Sequence, residues 1–556
     1  MSDKRIYLNL FLIMLIGLLI RLMSVDKPFG LWNDEYVSWY ISQKPLFSEF
    51  FEAVYKNCHM PFYYFYLKGW TLLFGNQDLS LRISSVIPSV LGISTMFFIG
   101  KKLKDSQVGL VCAILTAFSG FMIYFAQEVR FYSLLFLFSA LAILVTLNVL
   151  EKQSKSNYFL FYLTNILVMM THTIGFVFVF FNFLTVFYVL KKENKISYKQ
   201  ITLIVLSAVA TMFPLLPFLY KVLTASYLSQ FWSDFSVTKL FFVFADYISP
   251  IQINIVNTPS SLFSFLIKNS HFNFGYLIFA LIPMAIAFWS ISKAFEKFDK
   301  NIKIISVIAV GTLIVMVLAS IFGKMVLITK YTMEVYPVFI ALVGVGLCSF
   351  KPQFFQKTLS VLLFAPIVFY IAFSAYAPQK LDRPEGHKAV AKLIQDADLK
   401  DGDNILLLYY EDYRFEKYID MSKFSVESMT KFNFQYRLMH EPPLHSEIMA
   451  KGKSLFLENF ESGKNEFYNN YLHQFFFNRM KKGDKFALIS LKSVAFVDEK
   501  RMALTLENSD KYNRLPFLFL IFSNIDNMTQ RYANAELKPV FEENAGKWQI
   551  TVWEKI

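Results

Sequence analysis

Two adjacent carboxylates, Asp34 and Glu35, follow the first long apolar stretch of the sequence almost directly. Ionisable side chains close to hydrocarbon are costly to keep, so they commonly mark functional sites. A carboxylate in such a place could take a proton from an attacking hydroxyl or amine. A simpler interpretation stays open, because Asn33 and Asp34 are good N-cap residues and Glu35 would lie in the first turn of an interfacial helix.

A second polar group lies between two later apolar stretches, at residues 127–132, Gln-Glu-Val-Arg-Phe-Tyr. On a helix, Glu128 and Tyr132 would share a face and Arg130 would point elsewhere. Each charge therefore needs a partner from another segment. The alternative is an interfacial helix hairpin whose charges face water.

Further basic and acidic residues are predicted to lie at the same outer side of the membrane. His59 begins an aromatic segment, where a histidine could contact a phosphate or carry a proton. For His172, a hydrogen-bonded structural role competes with a functional one. Lys330, with Glu334 one turn later, could anchor a phosphate or could snorkel, and Arg21 is interpreted as a snorkelling residue near the end of the first apolar helix.

The composition is that of a polytopic membrane protein. The chain has 556 residues, of which 55% are hydrophobic and 18% aromatic, and its mean hydropathy is +0.41. The net charge of +13 does not indicate nucleic-acid binding, because many of the Lys and Arg residues lie in short runs between apolar segments. The three cysteines have no spacing typical of a disulfide framework or a zinc site.

About eleven segments are long and apolar enough to be transmembrane helices. The pair that meets at Thr171-His172-Thr173 has almost no turn between its members, so the helix count around 157–190 is the weak point. Lysines lie in alternate short loops, and the positive-inside rule then places the N-terminus in the cytoplasm. The predicted segments are 6–24, 80–100, 108–126, 131–150, 157–171, 173–190, 200–221, 272–291, 302–322, 331–350 and 357–376.

This orientation places three longer pieces outside the cytoplasm and predicts two domains. Residues 1–376 form a transmembrane domain with outer loops 25–79 and 222–271, and residues 377–556 form a soluble α/β domain. In the soluble domain a helix is predicted at 386–397, and the domain shows no motif for phosphate binding, a nucleophile or a metal. Its four predicted strands are 405–410, 486–491, 517–522 and 548–553.

Five motifs together resemble the GT-C superfamily of lipid-dependent glycosyltransferases, in particular glycosyltransferase family 39, with its protein mannosyltransferases and lipid A aminoarabinose transferases. The resemblance covers roughly residues 1–350 in order. The motifs are the pair Asp34-Glu35, residues 59–64 (His-Met-Pro-Phe-Tyr-Tyr), 80–86 (Ser-Leu-Arg-Ile-Ser-Ser-Val), 124–132 (Tyr-Phe-Ala-Gln-Glu-Val-Arg-Phe-Tyr) and 329–337 (Thr-Lys-Tyr-Thr-Met-Glu-Val-Tyr-Pro).

The resemblance implies an inverting transferase of GT-C type whose donor is a sugar on a polyprenyl phosphate. Asp34 would be the general base, Glu35 would assist it, and Glu128 would be a second acid that contacts the acceptor or a divalent metal ion. The donor phosphate would be held by His59, Arg130, Lys330 and Tyr132. Gln127, His172 and Glu334 would support the site.

The implied partners are the lipid-linked sugar, an extracytoplasmic acceptor (protein, lipid or polysaccharide) and membrane lipids, without nucleic acid. The expected location is a bacterial inner or plasma membrane. A flippase or transporter for lipid-linked sugars is the alternative, but charges along a midplane path and inverted repeats would then be expected. A noncatalytic scaffold would not require acidic residues in two separate loops.

Overall fold

The computed structural model describes residues 2–224, 235, 237–248, 270–363, 387–407, 417–428, 478, 480–491, 530, 533–534 and 537–556, without 24, 28–29, 297–298, 323–325 and 546–547. It divides into two compact units. One contains residues 1–26 and 37–380, and the other contains residues 27–36 and 381–556. The short segment 27–36 therefore belongs with the C-terminal part of the chain.

The first unit is helical. Its helices, together with α2, which begins in segment 27–36, are α1 Asp3–Leu22, α2 Asn33–Gln43, α3 Ser48–Lys56, α4 Phe62–Phe74, α5 Asp78–Leu103, α6 Ser106–Ala117, α7 Gly120–Ala126, α8 Tyr132–Glu151, α9 Lys155–Thr171, α10 Gly175–Lys192, α11 Tyr198–Met212, α12 Leu216–Thr224, α13 Val237–Ile248, α14 Ser270–Phe295, α15 Lys300–Phe322 and α16 Tyr336–Leu347.

Among the described residues, six helices are long and apolar enough to cross a membrane: α1, α5, α8, α10, α15 and the continuous stretch Tyr198–Thr224. The pair α6 and α7 makes a seventh candidate, which is bent by 57°. All seven coincide with predicted segments, so a helical polytopic membrane protein is confirmed. The total of about eleven stays a prediction, because α9 and α16 are shorter and the segment 357–376 lies partly outside the described residues.

The interpretation of Arg21 as a snorkelling residue is wrong. Its side chain is fully buried, and its Nε donates to Ser89 Oγ at 2.8 Å. Its guanidinium also donates to the carbonyls of Thr116, at 3.0 Å, and Ala117, at 2.9 Å. These carbonyls belong to the last turn of α6, where backbone acceptors lack helical partners. Arg21 thus joins α1 to α5 and caps α6 at the bend before α7.

The segment 25–79, predicted as an outer loop, contains the helices α2, α3 and α4 among its described residues. Lys68 of α4 donates to the carbonyls of Ser42, at 3.0 Å, and Lys44, at 2.7 Å. A lysine on the last carbonyls of a helix satisfies acceptors that would otherwise lack partners. This contact fixes α4 against the C-terminal end of α2.

A polar network links α8, α9 and α10. Thr146 donates to Asn182 at 2.8 Å, and Asn182 donates to Asn165 at 2.9 Å. Asn165 and Asn182 are fully buried, and hydrogen bonds of this kind hold helices together within membranes. The helices α9 and α10, whose separation was in doubt, are distinct and are connected through residues 172–174.

The second unit is built on a mixed five-stranded sheet in the order β2-β1-β3-β5-β4. β1 pairs in parallel with β2 and β3, whereas β5 is antiparallel to β3 and β4. The helix α17, His387–Asp396, packs Val390 and Ile394 against the buried face of the sheet. The strands are β1 Asn404–Leu407, β2 Ser425–Ser428, β3 Lys485–Leu491, β4 Lys538–Ala545 and β5 Trp548–Glu554.

Three of the four predicted strands coincide with β1, β3 and β5, and the predicted helix at 386–397 coincides with α17. The fourth predicted strand, 517–522, lies outside the described residues. The strands β2 and β4 were missed, so the sheet is larger than the sequence indicated.

Candidate active site

The residues 127–131 form a turn between α7 and α8 and not a helix, so Glu128 and Tyr132 do not share a helical face as expected. The backbone N–H of Arg130 donates to the carbonyl of Glu128 at 2.8 Å. Glu128 is 1% exposed and Arg130 is 5% exposed. The alternative of a hairpin whose charges face water is therefore wrong, because both side chains are enclosed by protein.

Arg130 is held on three sides. Its Nη1 donates to Ser38 Oγ of α2 at 3.2 Å, and Ser85 Oγ of α5 donates to its carbonyl at 3.4 Å. Its guanidinium carbon lies 5.1 Å from the centroid of the Phe131 ring. A buried guanidinium held in this way is a preorganised donor for an anion.

Tyr63 is a fourth neighbour of this charge and was not among the predicted site residues. Burial raises the pKa of the Tyr63 phenol, although the charge of Arg130 acts in the opposite direction. The phenol therefore stays neutral at physiological pH and keeps its O–H as a donor.

The ring of Phe131 brings the predicted basic residues together. Its centroid lies 6.1 Å from His59, 6.2 Å from Tyr63 and 5.0 Å from His172, on which it stacks at 25°. These residues come from α4, from the segment before it and from the α9–α10 connection. His59, Arg130 and His172 thus form one basic cluster around a single aromatic side chain.

Lys330 and the acidic residue Glu334 lie beside this basic cluster. His172 Nδ1 lies 3.2 Å from Glu334 Oε1, which confirms the hydrogen-bonded role considered for His172. The centroid of the His172 ring also lies 5.4 Å from that of Tyr331. Lys330 Nζ lies 5.4 Å from the centroid of the same tyrosine ring.

We expect Glu334→Ala to lower the free energy of unfolding by about 1–3 kcal/mol, because His172 would lose a buried acceptor. Thermal unfolding in detergent measures the change. Glu334→Gln keeps an acceptor and should lose less. Glu296→Ala, at a residue whose side chain is 60% exposed, is the control, and a Glu334→Ala protein as stable as this control would contradict the prediction.

The contacts of Gln127 and Tyr132 are with other parts of the helical unit. Gln127 Nε2 donates to the carbonyls of Arg21, at 3.0 Å, and Met23, at 2.6 Å, and so holds the end of α1. Tyr132 is 1% exposed, and its ring packs 4.5 Å from Phe125 and 4.5 Å from Phe131. The phosphate contact predicted for Tyr132 stays a prediction.

The two carboxylates of α2 differ in their surroundings. Glu35 is 1% exposed, and its Oε2 accepts the backbone N–H of Trp32 at 3.1 Å. This is the contact of a helix-capping glutamate. Because α2 begins at Asn33, Asn33 and Asp34 lie in its first turn and not at the N-cap, where the simpler interpretation placed them. Asp34, one residue earlier, is half-buried, so part of its side chain is accessible to solvent.

A buried arginine at the start of α5 was also missed. Arg82 is fully buried, and its Nη1 donates to the carbonyl of Val25 at 3.4 Å. It belongs to the Ser-Leu-Arg motif at 80–82, and a charged residue in the first turn of an apolar helix was the signal that could have identified it.

No group of three His, Cys, Asp or Glu side chains that could hold a metal ion occurs among the described residues. The residues around Glu128 therefore do not by themselves supply a metal-binding set. The divalent metal considered there stays a prediction, and no step below depends on it.

The fold resembles that of ArnT, a protein of solved structure. ArnT from Cupriavidus metallidurans in the apo state superposes with a TM-score of 0.52 at 11% identity, covering 98% of this chain and 97% of that one. The same protein bound to undecaprenyl phosphate gives a TM-score of 0.51 at 10% identity, with the same coverage. An oligosaccharyltransferase from Archaeoglobus fulgidus gives 0.45 at 11% identity over 76% of this chain, which spans 64% of that protein.

The family comparison adds sequence evidence. Residues 58–220 match the family described as dolichyl-phosphate-mannose-protein mannosyltransferase. This range contains His59, Gln127, Glu128, Arg130, Tyr132 and His172. No protein of curated function matches the chain in sequence.

Residues 58–220 are thus similar in sequence to a mannosyltransferase family, and nearly the whole chain shares the fold of ArnT. The resemblance predicted from the motifs is confirmed, and the activity that it implies stays a prediction.

Proposed function

We propose that this protein is an inverting glycosyltransferase that moves a sugar from a polyprenyl-phosphate donor to a protein, lipid or polysaccharide acceptor outside the cytoplasm. Asp34 is the general base. The N-terminus is cytoplasmic, and the C-terminal domain is extracytoplasmic. The observation that carries the proposal is the basic cluster formed by His59, Arg130 and His172 around Phe131.

The basic cluster suits the leaving group of such a reaction. When the bond between the anomeric carbon and the phosphate oxygen breaks, its electron pair stays on the lipid phosphate. Cations and fixed donors stabilise this developing charge, and no protonating acid is needed. Arg130 supplies the guanidinium, and His59 and Lys330 supply further donors.

The attacking side of the reaction needs one base. As the acceptor hydroxyl or amine bonds to the anomeric carbon from the face opposite the phosphate, its proton passes to Asp34. A single displacement of this kind inverts the anomeric centre. Asp34 suits the role better than Glu35, because Glu35 is buried and its oxygen already accepts the N–H of Trp32.

A comparison of envelope glycans and glycoproteins tests the function. Mass spectrometry of a strain that lacks this chain should show one sugar missing from one class of acceptor, and complementation should restore it. An unchanged glycome would contradict the transferase, whereas a missing sugar with the donor lipid trapped on the cytoplasmic face alone would indicate a flippase.

We expect Arg130→Ala to weaken the binding of undecaprenyl phosphate by about tenfold to a hundredfold, because hydrogen bonds to a charged group contribute more than neutral ones. Native mass spectrometry or calorimetry of the protein in nanodiscs measures the affinity.

Arg130→Lys keeps the charge without the fork of donors, so it should bind with intermediate affinity. Arg5→Ala, at an exposed position of α1, is the control. An unchanged affinity of Arg130→Ala would remove the phosphate role of Arg130.

A further inference from the structure

The segment that carries Asp34 is attached to the C-terminal part of the chain. Residues 27–36 belong to the same compact unit as residues 381–556. Within this unit the backbone N–H of Leu31 donates to the Tyr418 hydroxyl oxygen at 2.7 Å. A residue of the C-terminal domain therefore contacts the backbone three residues before Asp34.

Gly30 shows how closely the segment packs. Its φ is +84°, a conformation that L side chains rarely adopt. A Cβ added at this position would lie 2.5 Å from the Tyr418 hydroxyl oxygen and 2.8 Å from Lys388 Cβ of α17. Only glycine fits, so the chain is held against two separate parts of the C-terminal domain at this point.

The position of Asp34 follows from these contacts. Leu31 is 1% exposed, and the next backbone N–H, that of Trp32, is bound by the Glu35 carboxylate. The residues 30–32 are thus fixed immediately before the first turn of α2, which contains Asp34. A displacement of residues 30–32 would move the first turn of α2 and the Asp34 carboxylate with it.

We propose that Tyr418 is a positioning residue for Asp34: its hydroxyl holds Leu31 and thereby sets the start of α2. The inference rests on the proposed function, since it assumes that Asp34 is the base. It gives the C-terminal domain a part in catalysis, although the sequence of that domain shows no catalytic motif. Tyr418 itself does not touch the reacting atoms.

Tyr418→Phe removes one oxygen and keeps the ring. Membranes of the strain that lacks this chain hold both donor and unmodified acceptor, and they can be titrated into purified protein. We expect the maximal transfer rate to fall about tenfold, because a small displacement of a catalytic group is costly. The amount of membrane needed for half-saturation should not change, because Tyr418 touches neither donor nor acceptor.

Hydrogen exchange provides a second readout that needs no substrate. The amide of Leu31 should exchange about fivefold to tenfold faster in Tyr418→Phe, because its acceptor is lost, while peptides from β3 and β5 stay protected. Tyr220→Phe, at a residue that is 67% exposed on α12, is the matched control. It should change neither the rate nor the exchange.

Gly30→Ala tests the same contact from the other side and should reproduce the loss of maximal rate. In an Asp34→Asn background, Tyr418→Phe should cause no further loss, because the group that it positions is gone. If the wild-type protein transfers sugar and the Tyr418→Phe variant is equally active, the positioning role alone would be overturned. Wild-type protein that transfers no sugar would overturn the transferase and this role with it.

Discussion

Asp34→Asn is expected to lower the maximal rate of sugar transfer by about 10²–10⁴-fold, the usual contribution of a general base. Asparagine has nearly the same shape as aspartate, but it carries no charge and cannot accept the proton. Binding of undecaprenyl phosphate should be unchanged, because the base acts on the acceptor. Transfer into membranes of the strain that lacks this chain gives the rate, and calorimetry gives the affinity.

Two further variants make this prediction specific. Asp3→Asn makes the same chemical change in the first turn of α1 and should leave transfer unchanged. Glu35→Gln should reduce the melting temperature slightly and the rate less than Asp34→Asn does, because an amide oxygen can still accept the N–H of Trp32. Asp34→Asn protein with wild-type transfer would exclude Asp34 as the base, and a flippase would also be insensitive to this change.

The sequence predicted the helices and strands that are marked by a continuous run of apolar residues. Apolar segments of sufficient length correspond to helices, since a helix that crosses a membrane must satisfy its own backbone. The interior strands β1, β3 and β5 were found because both of their faces are covered and their residues are mainly apolar. Among the described residues, β2 and β4 stand at the two ends of the strand order. Strands in such positions typically contain polar residues, charges and proline, so they leave no apolar signal.

The arrangement of the basic cluster depends on contacts that sequence spacing does not encode. Arg130 meets Ser38 across 92 positions, and His172 meets Glu334 across 162. The motif at residues 124–132 drew attention to Glu128 and Arg130 but did not predict the turn that holds them. Phe131 was not singled out, because a phenylalanine within an apolar segment gives no indication that three basic side chains surround it.

Arg21 was misinterpreted for the same reason: its partners, Ser89, Thr116 and Ala117, lie 68 to 96 positions away. We expect Arg21→Met to lower the free energy of unfolding by roughly 2–4 kcal/mol, because several hydrogen bonds are lost together. Methionine fills a similar volume but donates no hydrogen bond, so the last carbonyls of α6 would be left buried without partners. Unfolding by denaturing detergent in mixed micelles measures the loss.

Arg5→Met is the matched control, because it makes the same change at an exposed position of the same helix. Arg21→Lys should be intermediate, since one ammonium group cannot reach acceptors on both α5 and α6. Equal stability of the Arg21→Met and Arg5→Met proteins would show that these contacts do not hold the helices together. If the prediction holds, transfer should also fall, because α7 leads from this bend directly into the turn that carries Glu128 and Arg130.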